Sequence, residues 1–185
     1  MDYNVLELVL SYVNDYYGLV RLTNVNVNWY TMIKESNIIW ENVIVKLDGY
    51  IVDKNLEYPI KILDCSVNEN ITDLGIKNML LEVLDCGFNE NITDLGIKNM
   101  SLKVLDCDYN KNITDLGIKN MSLKVLHCGL NKNITDLGIK NMLLEELYCG
   151  SNENITDVGI KNMPLKIIDG GYSENITDLG CDWKN

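Results

Sequence analysis

The sequence predicts an α/β solenoid, with a parallel sheet on its concave face and short helical or 3-10 turns on its convex face. The first observation is a period of 21 residues: the block Ile-Thr-Asp-Leu-Gly starts at Ile71 and recurs five times, once with Val in place of Leu. The second is an alternation of apolar and polar residues before each block, which is typical of a half-buried strand. The third is the Thr-Asp pair inside the block, because either side chain can cap the free N–H groups of a helix.

Six back-to-back units fill residues 59–185, namely 59–79, 80–100, 101–121, 122–142, 143–163 and 164–184. In unit 101–121 the pattern predicts a strand over Lys103–Asp106 and a returning segment with room for one helical or 3-10 turn. The apolar side chains of each unit are expected to stack inward on those of its neighbours. In this unit they are Leu102, Leu105, Cys107, Ile113, Leu116, Ile118 and Met121.

Two polar features of the unit are expected to be structural. Counting from Leu102 as position one, Asn110 at position nine should bond backbone groups where the chain leaves the strand. The sixth unit has Ser173 at that position, which predicts a looser turn there. Asp73 and Lys77 lie four residues apart and recur in later units, so they predict ladders of exposed ion pairs that contribute little each.

The frame of each unit, L-x-x-L-x-C-x-x-N-x-x-I, resembles that of a known repeat family. It is similar to the leucine-rich repeat, L-x-x-L-x-L-x-x-N/C-x-L, with cysteine in the third apolar slot. The resemblance covers about two-thirds of the chain. It implies a sheet of parallel strands about 4.8 Å apart.

Composition excludes several classes of function. The net charge is −11 with no basic stripe, so we expect no nucleic-acid partner. No apolar run approaches the roughly 18 residues of a membrane span, and the N-terminus lacks the basic start of a signal peptide, so we expect a cytoplasmic protein without a membrane partner. Five of the six cysteines share one repeat position, so we expect a buried cysteine ladder, with Cys181 outside it. The chain has one histidine and no cysteines paired at short spacing, so we expect no metal and no cofactor.

The first 45 residues do not share the repeat. Apolar residues at helical spacing predict an amphipathic helix over about 4–13, and further apolar sets predict two more short helices. In order, the segments V-L-E-L-V-L-S-Y-V, L-V-R-L-T-N-V, W-Y-T-M-I and I-I-W-E-N-V resemble an F-box. Residues 46–58 are expected to be a connecting strand or an incomplete first turn of the solenoid.

An F-box joined to leucine-rich repeats implies a substrate-recognition subunit of a cullin–RING ubiquitin ligase. Residues 1–45 would then dock on a Skp-family adaptor, while the repeats hold a target protein. Chains of similar Asn- and Ile-rich composition occur in A/T-rich genomes, including those of large DNA viruses, and a viral chain would act in the host cell. The expected adaptor-binding residues are Val5, Leu6, Val9, Leu10, Val13, Leu19, Trp29 and Trp40.

An alternative function stays open. Residues 4–45 can be only the cap that a solenoid needs at its open end, in an interaction scaffold with no link to ubiquitin. Met1-Asp2 stand where a Leu-Pro pair opens the F-box pattern, which favours this alternative.

Target binding is expected on the concave face, at the positions that differ between units. Positions three, five and eight of the frame should point outward and form an aliphatic, an acidic and an aromatic row. Exposed apolar rows bordered by charge usually mark a protein-binding patch, and the acidic row favours a basic partner segment. We expect no enzyme, since these side chains lie on an open sheet without an enclosed pocket. The expected target-binding residues are Val83, Asp85, Phe88, Val104, Asp106, Tyr109, Val125, His127, Glu146, Tyr148 and Tyr172.

Overall fold

The computed structural model describes residues 33, 35–40, 43–46, 51–53, 56 and 58–177. A helix and a strand precede the repeats, and six strands and five short helices then alternate through the described repeats. The helices are α1 (Asn37–Trp40), α2 (Asp73–Ile76), α3 (Asp94–Ile97), α4 (Asp115–Ile118), α5 (Asp136–Ile139) and α6 (Asp157–Ile160). The strands are β1 (Ile44–Lys46), β2 (Ile62–Asp64), β3 (Val83–Asp85), β4 (Val104–Asp106), β5 (Val125–His127), β6 (Glu146–Tyr148) and β7 (Ile167–Asp169).

All strands belong to one parallel sheet in the order β1 to β7, and helices α2 to α6 follow the strands in the returning segments. The α/β leucine-rich-repeat solenoid is therefore confirmed. The register follows the period of the sequence, since Val83 pairs with Val104 and Val104 with Val125. The sheet has one strand more than the six repeats predict, because Ile44 pairs with Ile62 and Lys46 with Asp64.

The core is a set of ladders that run from unit to unit. The central strand leucine, such as Leu105, and the following cysteine, such as Cys107, are fully buried. Burial raises the pKa of the Cys107 thiol well above its ordinary value, so these cysteines stay protonated. The expected cysteine ladder is thus confirmed for Cys65, Cys86, Cys107, Cys128 and Cys149, which are free thiols; Cys181 lies outside the described residues.

The position-nine asparagines form a second buried ladder, as predicted. The side-chain amide of Asn110 donates to the backbone carbonyls of Asn89 (2.7 Å) and Ile92 (3.0 Å) in the preceding unit. Its carbonyl accepts from the backbone N–H groups of Asn112 (2.8 Å) and Ile113 (3.1 Å). Each amide therefore closes its own turn and also fastens it to the previous one.

Threonine, aspartate and glycine join the helices to one another. Thr114 caps α4 by accepting from the N–H of Leu116. Its own N–H and hydroxyl donate to the carboxylate of Asp94 in the preceding helix, both at 2.7 Å. Gly117 is required at this contact, because a Cβ there would overlap the Asp94 carboxylate.

Two expectations about the helix side are wrong. Leu116 was expected to stack inward, but it is 66% exposed, while Ile118 two residues later is fully buried. With one helical turn, only one of these two side chains can face the sheet. The Asp–Lys ladders are also not formed among the described residues, because each aspartate carboxylate is directed at the threonine of the next unit.

The N-terminal end of the solenoid is closed by residues that precede the repeats. Trp40 is fully buried, its indole N–H donates to the carbonyl of Ile33 at 2.5 Å, and its ring lies 4.9 Å from that of Tyr58. Asp53 accepts from the N–H and hydroxyl of Thr72 at 2.8 and 2.6 Å, as a repeat aspartate would. The described part of 46–58 thus acts as the turn of an incomplete unit.

Candidate functional site

The sheet face collects the positions that differ between units. In the first five units the ten residues from Asn-Ile-Thr onward are identical except for Val158. The other differences therefore fall in the eleven remaining residues of the unit, which contain the strand and the residues on either side of it. Because the strands pair in register, each position becomes a row across the sheet, and the residues expected from sequence to bind a target lie on this face in three such rows.

The first row, at position three, is aliphatic at its centre. Val83, Val104 and Val125 are half-buried neighbours in it. Glu146 ends this aliphatic stretch, and the apolar row resumes at Ile167, which is 43% exposed. On the other side the row continues through Ile62 to Ile44, so a continuous apolar strip five strands wide is open on the face.

The second row, at position five, is acidic, and its carboxylates differ in whether a cation lies beside them. Burial alone would raise the pKa of Asp64, but hydrogen bonds from Lys46 (2.9 Å) and Ser66 lower it overall. Asp85 has no such cation, and burial with the nearby Asp106 carboxylate raises its pKa to about 6. Burial also raises the pKa of Asp106. The middle of the row therefore holds carboxylates that a cationic partner would stabilise.

The structure adds Asp108, which the sequence analysis missed, to this acidic group. It occupies position seven, where the other units have Ser66 or glycine, and that single difference was the signal available. Burial raises the pKa of its carboxyl, and one of its oxygens accepts from the N–H of Gly129 at 2.5 Å. Asp108 thus brings a further carboxylate to the centre of the face.

His127 continues the acidic row onto the fifth strand. Its Nδ1 lies 3.8 Å from a carboxylate oxygen of Asp106, and its ring stacks on Tyr148 with centroids 4.2 Å apart. His127, Asp106 and Asp108 offer ligand atoms within 4.8 Å of one another. The two carboxylates already bond backbone N–H groups at the strand ends, which gives the cluster a structural role without an ion.

The third row, at position eight, projects aromatic and aliphatic side chains beyond the strand ends. Phe88 and Tyr109 are 58% and 44% exposed and stack with ring centroids 4.2 Å apart. Phe88, Tyr109, Leu130 and Ser151 all have positive φ, between 56° and 61°. This left-handed backbone costs a residue with a Cβ about 1–2 kcal/mol.

The left-handed backbone sets the direction of the N–H groups at position eight. It directs the N–H of Phe88 to the carbonyl of Asp108 at 2.9 Å and the N–H of Tyr109 to that of Gly129 at 3.0 Å. The ladder of the sheet thus continues past the strands, and the side chains are left outward. At the far end of the row Tyr172 is 95% exposed.

The expected adaptor-binding residues lie almost wholly outside the described residues. Trp40 is the exception, and its full burial places it in the chain's own core. The remaining seven, whose role stays a prediction, are Val5, Leu6, Val9, Leu10, Val13, Leu19 and Trp29.

The part of the chain that is described contains no helix with the length and hydropathy of a membrane span. A scan against protein-family models found no match to this chain, and a search of the curated proteins also found none.

Proposed function

We propose that this chain is the substrate-recognition subunit of a cullin–RING ubiquitin ligase and holds a target protein on its sheet face. The observation that carries the proposal is the separation of the unit into an invariant framework and a variable, exposed sheet face. Apart from Val158, the differences among the first five units lie in the eleven residues that contain the strand and its flanks, and of these the variable positions three, five and eight point outward on the sheet face. A surface that varies in this way can discriminate between partners, whereas the identical remainder of each unit cannot.

The chemistry of the face favours a basic polypeptide segment as the bound part of the target. Asp85, Asp106 and Asp108 are partly desolvated carboxylates, and burial raises the pKa of each. A lysine or arginine side chain would replace water around them with a compensating charge. The Phe88–Tyr109 stack beside them offers flat apolar area, and aromatic side chains are frequent anchors of interfaces.

The proposed attachment to the ligase rests on the F-box resemblance of residues 1–45. The chain itself performs no chemistry in this proposal. It raises the effective concentration of target lysines near the charged ubiquitin, so binding and positioning are its whole contribution.

The second candidate is a scaffold without a ubiquitin link, and one observation favours it. Ile33, Ile39 and Trp40 are fully buried in the same core as the repeats, and β1 extends the sheet. Residues before the repeats therefore act at least as a cap of the solenoid, which such a scaffold would need.

Co-purification with a Skp-family adaptor of the native cell tests the first proposal. The full chain should capture the adaptor, and Leu10→Glu, on the apolar pattern of the F-box-like segment, should abolish capture. The matched control is Leu143→Glu, the same change at a leucine that is 65% exposed and lies outside the sheet-face rows, which should leave capture intact. Circular dichroism on all three proteins establishes that they are folded.

The outcomes separate the two candidates. Capture that Leu10→Glu removes and Leu143→Glu retains supports the ligase subunit. Absence of capture by folded full-length chain refutes the ligase role and leaves the scaffold.

A further inference from the structure

The helix side of the solenoid carries a straight row of exposed apolar side chains. Each of the helices α2 to α6 has one in its first turn, and it is 66–77% exposed in every case. We call this row the leucine ladder; its members are Leu74, Leu95, Leu116, Leu137 and Val158. Apolar side chains exposed singly are ordinary, but a contiguous row of five marks a surface that a partner covers.

A row of lysines borders the leucine ladder. Lys119 follows Leu116 by three residues, so both side chains lie on the same side of the turn. The aspartate four residues before each lysine is directed at the next unit's threonine, as Asp115 is at Thr135. No carboxylate of the described chain forms an ion pair with these exposed lysines, which are Lys77, Lys98, Lys119, Lys140 and Lys161.

An open depression lies between two successive members of the ladder. It is bounded by Leu116 and Leu137, with Asp115, Lys119 and Asn133 also in its lining. Another depression, at the N-terminal end of the ladder, is bounded by Leu74 and Met79. An apolar side chain of a partner can therefore sit between two units rather than only on top of one.

We propose that the leucine ladder is the docking site for an acidic amphipathic α-helix of a partner protein. The charge of the surface favours an acidic partner, because five exposed lysines border it and form no ion pair within the described residues, while the aspartates of the same helices are engaged by threonine. Its spacing fits a helix laid along the solenoid: neighbouring units are roughly 5 Å apart, as are strands in a sheet, and one helical turn rises 5.4 Å. Five members span about 20 Å, which corresponds to a helix of about 14 residues.

The docked helix would present one apolar residue per turn to the depressions and glutamate or aspartate on the flank that faces the lysines. This is recognition of a helix through anchors at i, i+3 or i+4, and i+7. The surface lies opposite the sheet face, so it can be occupied while a target is bound there. The inference does not depend on the ubiquitin-ligase proposal.

The probe is a labelled 18-residue peptide with leucine at i, i+3, i+4 and i+7 positions, glutamate on the flanks and alanine elsewhere. Fluorescence anisotropy with the full chain should show binding, and a peptide of the same composition in scrambled order should bind at least about tenfold more weakly. The double variant Leu116→Ser/Leu137→Ser should weaken binding of the ordered peptide by at least about tenfold, through lost apolar burial. These side chains are exposed, so the fold should survive, as circular dichroism would verify.

Two matched variants complete the design. Lys119→Glu/Lys140→Glu should also weaken binding, and a peptide with lysine in place of glutamate should bind this variant better than it binds the unaltered chain. Leu143→Ser, at a leucine that is 65% exposed but belongs to neither the ladder nor the sheet-face rows, should leave binding of the acidic peptide unchanged.

Several results would overturn the proposal. Equal binding of the ordered and scrambled peptides would show that the ladder does not recognise an amphipathic helix. Binding that the leucine double variant leaves unchanged would show that the ladder is not the binding site. Binding to phosphatidylserine-containing vesicles without peptide binding would identify a lipid surface instead, although the net charge of −11 opposes one. Self-association that the leucine variant removes, again without peptide binding, would assign the ladder to a second copy of the chain.

Discussion

Asn110→Ala removes one rung of the buried amide ladder and should be among the costliest single changes in the chain. The side chain is fully buried and takes part in five hydrogen bonds, the longest of them 3.5 Å, to the carbonyl of Cys86. A buried hydrogen bond contributes about 1 kcal/mol net, and a partner left unsatisfied costs about 1–3 kcal/mol. Three carbonyls of the preceding unit and two N–H groups of the same turn lose this partner, so we expect a loss of about 3–5 kcal/mol.

Equilibrium unfolding in urea, followed by circular dichroism, measures the loss. The matched control is Asn112→Ala, whose amide makes one exposed hydrogen bond, to the carbonyl of Glu90 at 2.7 Å; that change should cost no more than about 1 kcal/mol. Because a solenoid can unfold in parts, amide hydrogen exchange gives a second readout. Protection in Asn110→Ala should fall most in units 80–100 and 101–121. Equal costs for the two variants would refute the structural role assigned to the buried ladder.

Three further changes test other contacts. Gly117→Ala should destabilise the chain by about 2–3 kcal/mol in urea unfolding, because its Cβ would displace the Asp94 carboxylate from the next helix cap. Gly150→Ala should be within about 0.5 kcal/mol of the unaltered chain, because its Cβ would meet only the Cα of Gly171, at an ordinary contact distance of 3.9 Å. Ser173→Asn should raise the unfolding free energy by about 1–2 kcal/mol, since the Ser173 hydroxyl has no hydrogen-bond partner among the described residues and an amide would restore the ladder; no gain would contradict this. Asp85 should titrate near pH 6 by carbon NMR, because its pKa is raised to about 6, and a midpoint near 4 would refute the assignment. The folded state then holds this proton more tightly than the unfolded state, so the contribution of Asp85 to stability should fall as pH rises from about 4 to 6, and Asp85→Asn should remove that contribution.

The sequence was sufficient to predict the features that depend on the period. Identical spacing places Leu105 beside Leu126 and Cys107 beside Cys128, so sheet, register and buried ladders follow once the units are aligned. The rows of the sheet face follow in the same way, because strand residues alternate between the two faces. These predictions needed no knowledge of how the returning segments sit on the sheet.

The helix side could not be predicted, because a four-residue helix is too short to have a hydrophobic period. Leu116 and Ile118 are both apolar, and the choice between them depends on the rotation of the helix. That rotation is set by contacts between units: Thr114 on Asp94, and Gly117 packed against the same carboxylate. The Asp–Lys spacing within a unit predicted ion pairs that do not form among the described residues. The threonine that binds each aspartate lies in the next unit, so the local sequence does not indicate this competition. Asp108 was missed because it is the one aspartate at position seven, where the other units have serine or glycine.

Backbone strain gives an independent reason to assign recognition to the sheet face. The residue before Phe88 is a glycine, and so is the residue before Leu130, yet the left-handed position itself carries a large side chain in both units. A glycine there would remove a cost of about 1–2 kcal/mol per residue and keep the same N–H contact with the next unit. The structure thus holds three successive apolar side chains, those of Phe88, Tyr109 and Leu130, outward at positions where stability alone would favour glycine. Strained backbone persists where the side chain has a use, and we propose that beside partly desolvated carboxylates this use is contact with a partner.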